Sequence, residues 1–315
     1  MKKTPLALLS YDRPAHVRLA LEALSRCDRI EECCLHIFCD GPAAPSVEAG
    51  VQATRQEVKA WAGRLGAVVV ERDRNLGVAG SVVTAVTDLC ARYGRVIVLE
   101  DDFVVSPDFV DFMLQALDRY ADEANVYQID GYMFPIRHRR QPDAFFLPLS
   151  STRGWATWQR AWRIFDWNAT GAREKLKDPR IQSRFNLDDS HPFCDMLSDR
   201  LAGRNQSWGI LWWWAVFQAG GVVLYPRESL VWVGGFDGTG THCTPSPDYI
   251  QPSRESFSRR QLSTPIQWPE RVTVDAAALR RVQRLLRSSQ PRSHPLWLRR
   301  LLWSWQSIRK GAVAE

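Results

Sequence analysis

The chain has 315 residues, 45% hydrophobic and 24% charged, with 41 Lys and Arg against 35 Asp and Glu. That is enough apolar material for a sizeable core, and no run reaches the roughly 18 uncharged apolar residues of a membrane span, so neither a disordered nor a membrane-spanning chain is indicated. The net charge of +6 is uneven: Ser253–Lys310 holds thirteen Lys and Arg against three acids, a net +10, which leaves about −4 for the rest. A catalytic body with a basic tail fits this better than a protein that binds nucleic acid throughout. Met1–Thr4 is basic, but the apolar run Pro5–Ser10 is cut short by Tyr11, Asp12 and Arg13 and does not read as a secretory signal. The expected location is therefore cytoplasmic. Seven cysteines (27, 33, 34, 39, 90, 194 and 243) are odd in number and lack paired metal spacing, so thiols are expected rather than disulfides.

In chain order, Leu6–Ser10 reads as a first buried strand, and Pro14 suits the first turn of a helix running to Ser25, with Val17, Leu21 and Leu24 at helical spacing. Cys34–Cys39 is a second strand ending at the Asp40-Gly41-Pro42 turn. A helix over Val47–Ala62 and a strand over Ala67–Glu71 follow, then a turn at Asn75-Leu76-Gly77 and a helix near Ala79–Tyr93. Val96–Leu99 is purely apolar, hence buried on both faces, and delivers Glu100-Asp101-Asp102 at its end. Four βα units in about 100 residues predict an α/β fold with a mostly parallel, Rossmann-like sheet flanked by helices. Ligands of such sheets sit beyond the carboxyl ends of the strands, where Asp12, Arg13, Asp40 and Glu100–Asp102 all fall. Pro107–Tyr120 reads as a further helix. Residues 125–250 are less regular and hold nine of the fourteen tryptophans. Asp248–Pro269 has the composition of a linker or surface excursion, and Val274–Arg287 has a helical pattern.

Three adjacent acids repel one another unless a cation or water screens them. A hard divalent metal held by one or two carboxylates and by nucleotide phosphates supplies that screening; a solvated acidic turn is the simpler alternative.

The ordered series Leu8–Pro14, Phe38–Pro42, Arg74–Gly77 and Val98–Phe103 resembles GT-A glycosyltransferases, in particular bacterial sugar transferases related to the N-acetylglucosaminyltransferase I group, over about residues 5–243. The resemblance implies a GT-A domain over 1–250, with a nucleotide-sugar half (1–123) and a tryptophan-rich acceptor half (124–250), followed by a basic extension (251–315). It implies metal-dependent transfer from a uridine diphosphate sugar to a glycan or lipid-linked acceptor, with inversion, in surface polysaccharide synthesis. Arg13 would contact the nucleotide and Asp40 the uracil, and the loop holding Asn75 and Gly80 would line the cleft. Asp102 would ligate Mn²⁺ or Mg²⁺, with Asp101 near the donor sugar. Arg13 paired with Asp12 or a surface acid, and Asp40 bracing a turn, are the structural alternatives.

Arg153–Trp158, Asn205–Gly209 and Gly234–His242 continue the resemblance into the acceptor half. Tryptophan faces stack on sugar rings, but Trp212, Trp213 and Trp214 are expected mainly in the core. The glycine run at 234–240 suggests a loop that orders over the donor, and it matches no dinucleotide or P-loop fingerprint. Where the resemblance implies an aspartate base just before Trp208, this chain has Gln206 and Ser207. Asp195, Asp199 and Asp237 are the replacement candidates for taking the acceptor proton. An impaired enzyme that binds nucleotide or glycan is the other reading. A nucleotidyltransferase is disfavoured because Ser10–Pro14 lacks glycines. The tail helix Pro295–Lys310 places Trp297, Leu301, Leu302 and Trp305 on one face with basic residues mainly elsewhere. It suits a peripheral position on the inner face of an anionic membrane, or docking on the body or a second subunit. No nucleic-acid module is recognised.

Overall fold

A computed structural model describes residues 3–136, 142–237 and 254–289 of the chain. Its first half alternates strand and helix: β1 (Thr4–Ser10), α1 (Pro14–Leu24), β2 (Cys33–Cys39), α2 (Glu48–Leu65), β3 (Val68–Glu71), α3 (Gly77–Tyr93) and β4 (Arg95–Glu100). Pro14 opens α1, where its missing N–H costs no hydrogen bond, and α1 buries Val17, Ala20, Leu21 and Leu24 at helical spacing. These strands pair in parallel in the order β3-β2-β1-β4, with Leu8 of β1 facing Ile37 on one side and Leu99 on the other. Leu6, Leu8, Ile37, Val96 and Ile97 are wholly buried, and burying each such side chain contributes about 1.5–3 kcal/mol. Parallel strands covered by helices on both faces require these continuous apolar runs.

The second half completes the sheet with strands of both directions. It comprises β5 (Phe103–Val105), α4 (Phe109–Arg119), β6 (Val126–Asp130), β7 (Ala144–Leu147), β8 (Trp155–Trp158), α5 (Gln159–Trp162), α6 (Ala172–Lys175) and α7 (Pro179–Phe185). After these come α8 (Phe193–Leu201), α9 (Trp208–Gln218), β9 (Val222–Pro226), β10 (Val231–Val233) and α10 (Ala276–Ser288). The eight-stranded order is β3-β2-β1-β4-β8-β6-β9-β7, with β8 antiparallel between β4 and β6, and β7 antiparallel at the far edge. The result is a mixed α/β fold around a mostly parallel sheet. A separate antiparallel pair, β5 with β10, folds over the carboxyl end of β4.

Trp155, Trp158, Trp162, Trp208, Trp212, Trp213 and Trp214 are core residues. Trp212, Trp213 and Trp214 are buried on α9, which is apolar all round and is therefore enclosed on every side. Trp155, Trp162, Trp208 and Trp212 pack together at centroid distances of 5.0–6.2 Å. A sugar-stacking wall built from these rings is thus excluded by their burial; among the described tryptophans Trp167 is the exposed one.

The stretch whose composition is that of a linker or surface excursion is tied to the body over its described part. The buried Asp108 carboxylate accepts from the backbone N–H groups of Gln261 and Leu262, each at 2.9 Å. The buried Asp143 pairs with Arg227 at 2.9 Å and accepts from Gln267 N at 2.8 Å. Phe257 and Ile266 are buried beside them. A polar sequence docks here because two buried carboxylates need donors, and its backbone supplies them.

Candidate active site

The carboxyl ends of β1, β2 and β4 carry three loops that meet. Glu100 ends β4, and Asp101 and Asp102 form the turn into β5. Asp101 Oδ2 accepts from the backbone N–H of Tyr11 at 3.1 Å, and Asp102 Oδ2 lies 3.4 Å from Arg13 Nη1. The Asp102 carbonyl accepts from Gly234 N at 2.7 Å, which ties the turn to the end of β10. Position 234 is tightly enclosed: a Cβ there would sit 3.0 Å from the Asp102 carbonyl oxygen and 3.3 Å from the His16 ring. His16, from the first turn of α1, therefore stands beside the acidic turn.

Burial and mutual repulsion raise the carboxyls of this cluster. Burial, followed by the charges of Asp102 and Asp101, pushes Glu100 up to about 8. Burial and the Asp102 charge push Asp101 up to about 7. Asp102 is also raised by burial, against the pull of Arg13 and His16. Burial works against the charged form of Arg13, but Asp101, Asp102 and Asp12 outweigh it and its affinity for its proton rises. Asp102 Oδ1 is buried and has no hydrogen-bond partner. A buried, unpartnered carboxylate oxygen carries a desolvation cost that a cation would relieve. Among the described residues no three His, Cys, Asp or Glu side chains converge into a metal cage. Asp102 can thus offer one carboxylate oxygen to a cation.

The loop after β2 is braced by Asp40. Its carboxylate accepts from Leu76 N at 3.0 and 3.1 Å and from Gly41 N at 3.1 Å, and Arg72 Nη1 lies 3.8 Å away. Asn75 donates to the Gly41 carbonyl at 2.8 Å and accepts from Gly77 N at 3.0 Å. Gly41 is where the two backbones touch: a Cβ there would lie 2.5–2.8 Å from Arg74 main-chain atoms. Gly80 sits one turn into α3, with its carbonyl accepting from Thr84 Oγ1 at 2.6 Å. Asp40 and Asn75 are thus gathered at one place, with Gly80 in the first turn of the helix that follows, and the observed bonds of Asp40 are those of a brace. Tyr11 links all three loops, since its hydroxyl accepts from Ala43 N at 3.1 Å while its own N–H holds Asp101.

The other wall comes from the second half. Gln206 reaches toward the start of α3, its Oε1 lying 3.8 Å from the point where a Cβ on Gly77 would be. Ser207 caps α9, its Oγ accepting from Ile210 N at 3.4 Å, so neither residue that stands at the expected base position supplies a carboxylate. Of the replacement candidates, Asp199 is held by Arg204 Nε at 2.8 Å, and Asp195 lies on the exposed first turn of α8. The Asp237 side chain lies outside the described residues, as do the glycine-rich stretch after it and the tail helix.

Sequence reasoning assigned no role to Arg153 and overlooked His191. The charge of Arg153 acts on Glu100, Asp130 and His191, and its guanidinium lies 4.8 Å from the Tyr132 ring centroid. Burial, and then the Arg153 charge, lowers His191 to about 4. Both residues are separated from the acidic motif by 50 residues or more of chain, and no local spacing announces them.

No protein-family model matches the chain, and no curated protein matches it. Among solved structures it is similar to S. aureus TarS, at 13% identity and a TM-score of 0.35 over 52% of this chain and 30% of that one. It is similar to TarS residues 1–349 at 11% identity and a TM-score of 0.42, over 74% of this chain and 60% of that one. It therefore spans less than two thirds of either TarS chain. It is also similar to apo mouse xyloside xylosyltransferase 1, at 13% identity and a TM-score of 0.37 over 70% and 82% of the two chains.

Proposed function

We propose that the chain is a GT-A glycosyltransferase that moves a sugar from a nucleotide diphosphate donor, a uridine diphosphate sugar, to a glycan or lipid-linked acceptor of a surface polysaccharide, with inversion. The observation that carries this reading is the buried, unpartnered Oδ1 of Asp102, set beside Arg13 at the carboxyl end of a parallel sheet. Asp102 would hold Mn²⁺ or Mg²⁺. The ion, when bound, supplies Lewis-acid neutralisation of the leaving diphosphate. Arg13 adds a fixed positive charge to the same place, and Asp101, anchored on Tyr11 N, faces the donor sugar. Asp40 acts through the loop it braces, fixing Asn75 and the start of α3 against the nucleotide. Gln206 closes the cleft from the opposite wall.

The lack of a carboxylate at 206–207 favours a second reading, a GT-A fold that binds nucleotide or glycan with impaired turnover. Release of UDP from UDP-sugars offered with oligosaccharide and lipid-linked acceptors, in Mn²⁺ and in EDTA, separates the two. Acceptor-dependent release in Mn²⁺ supports the transferase; metal-dependent binding without release supports the impaired form.

A further inference from the structure

Residues 267–275 run along the free edge of β7 and touch it at two feet. At the first, Asp143 N donates to the Gln267 carbonyl at 2.8 Å, and Gln267 N donates to Asp143 Oδ2 at 2.8 Å. At the second, Val274 bridges in parallel to Phe146, and Asp275 N donates to the Phe146 carbonyl at 2.9 Å. Both feet are anchored. Asp143 is wholly buried and paired with Arg227, and Asp275 caps α10, accepting from Ala277 N at 2.8 Å and Ala278 N at 2.9 Å.

Between the feet lies a cleft of about 560 Å³, the size of a small-ligand site. Its rings are held from behind. The half-buried Trp268 stacks on Phe112 at 5.4 Å and meets Tyr120 edge-on at 6.1 Å, and Phe145 stacks on Tyr225 at 6.5 Å. Gln267, Glu270, Arg271 and Thr273 line the same cleft and are exposed. An amide, a carboxylate, a guanidinium and a hydroxyl beside fixed aromatic rings match a saccharide, whose hydroxyls donate and accept while its C–H faces pack on rings. An acyl chain would leave the polar groups unpaired, and a phosphate would meet Glu270 and Asp275 as well as Arg271.

The cleft also lies on the edge of the sheet that carries the acidic turn. Strands β4 and β6 are both antiparallel to β8, and β9 is parallel to β6, so β4, β6 and β9 end at one edge. Strand β7 starts there, with Ala144 opposite Pro226, the last residue of β9. From β4 to β7 is four strand spacings, roughly 19 Å, within the span of a short oligosaccharide.

We propose that this cleft is a second glycan site, which holds a distal segment of an oligosaccharide acceptor whose reactive end is at the acidic turn. The link to the acceptor rests on the transferase reading; saccharide binding in the cleft does not.

The test uses the full chain. The Trp268 indole N–H resonance, assigned with Trp268→Phe, is followed by NMR as maltohexaose, cellohexaose and N-acetylchitohexaose are added, each beside its disaccharide. At least one hexasaccharide is expected to shift it. Replacing both exposed charged residues, Glu270→Ala with Arg271→Ala, should weaken that binding about tenfold or more and leave UDP affinity unchanged. In transfer assays the same variant should raise KM for the hexasaccharide acceptor by a similar factor and spare the disaccharide. A Trp268 signal that no hexasaccharide moves, or equal affinity in the folded double variant, would overturn the site. An equal rise in KM for both acceptor lengths would overturn its role as a distal subsite. If no acceptor receives sugar while a hexasaccharide still moves Trp268, the transferase reading and the acceptor link fail and the glycan site stands.

Discussion

At the scale of single residues, the site is a matter of which carboxylate oxygens have partners. Asp101 and Asp40 spend theirs on backbone N–H groups, Asp101 on Tyr11 and Asp40 on Leu76 and Gly41. Asp102 gives one oxygen to Arg13 and keeps the other buried and unpartnered. The bracing role assigned to Asp40 makes a distinct prediction. Asp40→Ala leaves the Leu76 N–H without its acceptor and should destabilise the fold by about 1–3 kcal/mol, read by urea unfolding. It should also weaken UDP, GDP, CDP and ADP alike. Unaltered stability with loss confined to UDP would instead make Asp40 a direct contact for the base.

At the scale of elements, β1 to β4 and α1 to α3 were legible because each reports itself locally, through apolar runs and helical periodicity between turn signals. The meeting of Arg13, Asp40 and Glu100–Asp102 followed from strand polarity alone, since all stand at carboxyl ends. The α7–α8 connection was not legible. Leu187, Asp188 and Asp189 carry no glycine to announce positive φ, and the donors that hold them come from Gln283 and Arg287. Nor could spacing show that Asp108 and Asp143 would anchor the stretch before α10. The α7–α8 connection has a pH signature. His191 titrates at about 4 in the folded chain against about 6.5 when unfolded, so the unfolded state alone binds a proton between these values. Folding stability from this group is complete above about pH 6.5 and is lost as pH falls toward 4, by on the order of 3 kcal/mol. Relative to His191→Gln, the wild type should therefore lose stability across that window in pH-dependent urea unfolding. Parallel curves would show that His191 is not held neutral by the fold.

At the scale of the molecule, a body of about −4 carries a segment of +10, and part of that segment is structural. Gln283 and Arg287 of α10 bind the body, while Arg280 and Arg284 are exposed on its outer face. No helix among the described residues is long and apolar enough to cross a membrane. The tryptophan- and arginine-bearing tail beyond α10 predicts attachment to an anionic surface instead. Deleting 294–315 should abolish sedimentation with phosphatidylglycerol vesicles and leave nucleotide binding intact; an intact chain that never sediments with them contradicts the idea. The central claim is that the carboxyl edge of the sheet binds a nucleoside diphosphate through a metal held by Asp102. The most direct measurement is calorimetric titration of the wild type and Asp102→Ala with UDP, GDP, CDP and ADP, each in Mn²⁺ and in EDTA. The account predicts wild-type binding of UDP that needs Mn²⁺ and disappears in Asp102→Ala. UDP affinity that is the same with and without metal, in both proteins, would contradict it.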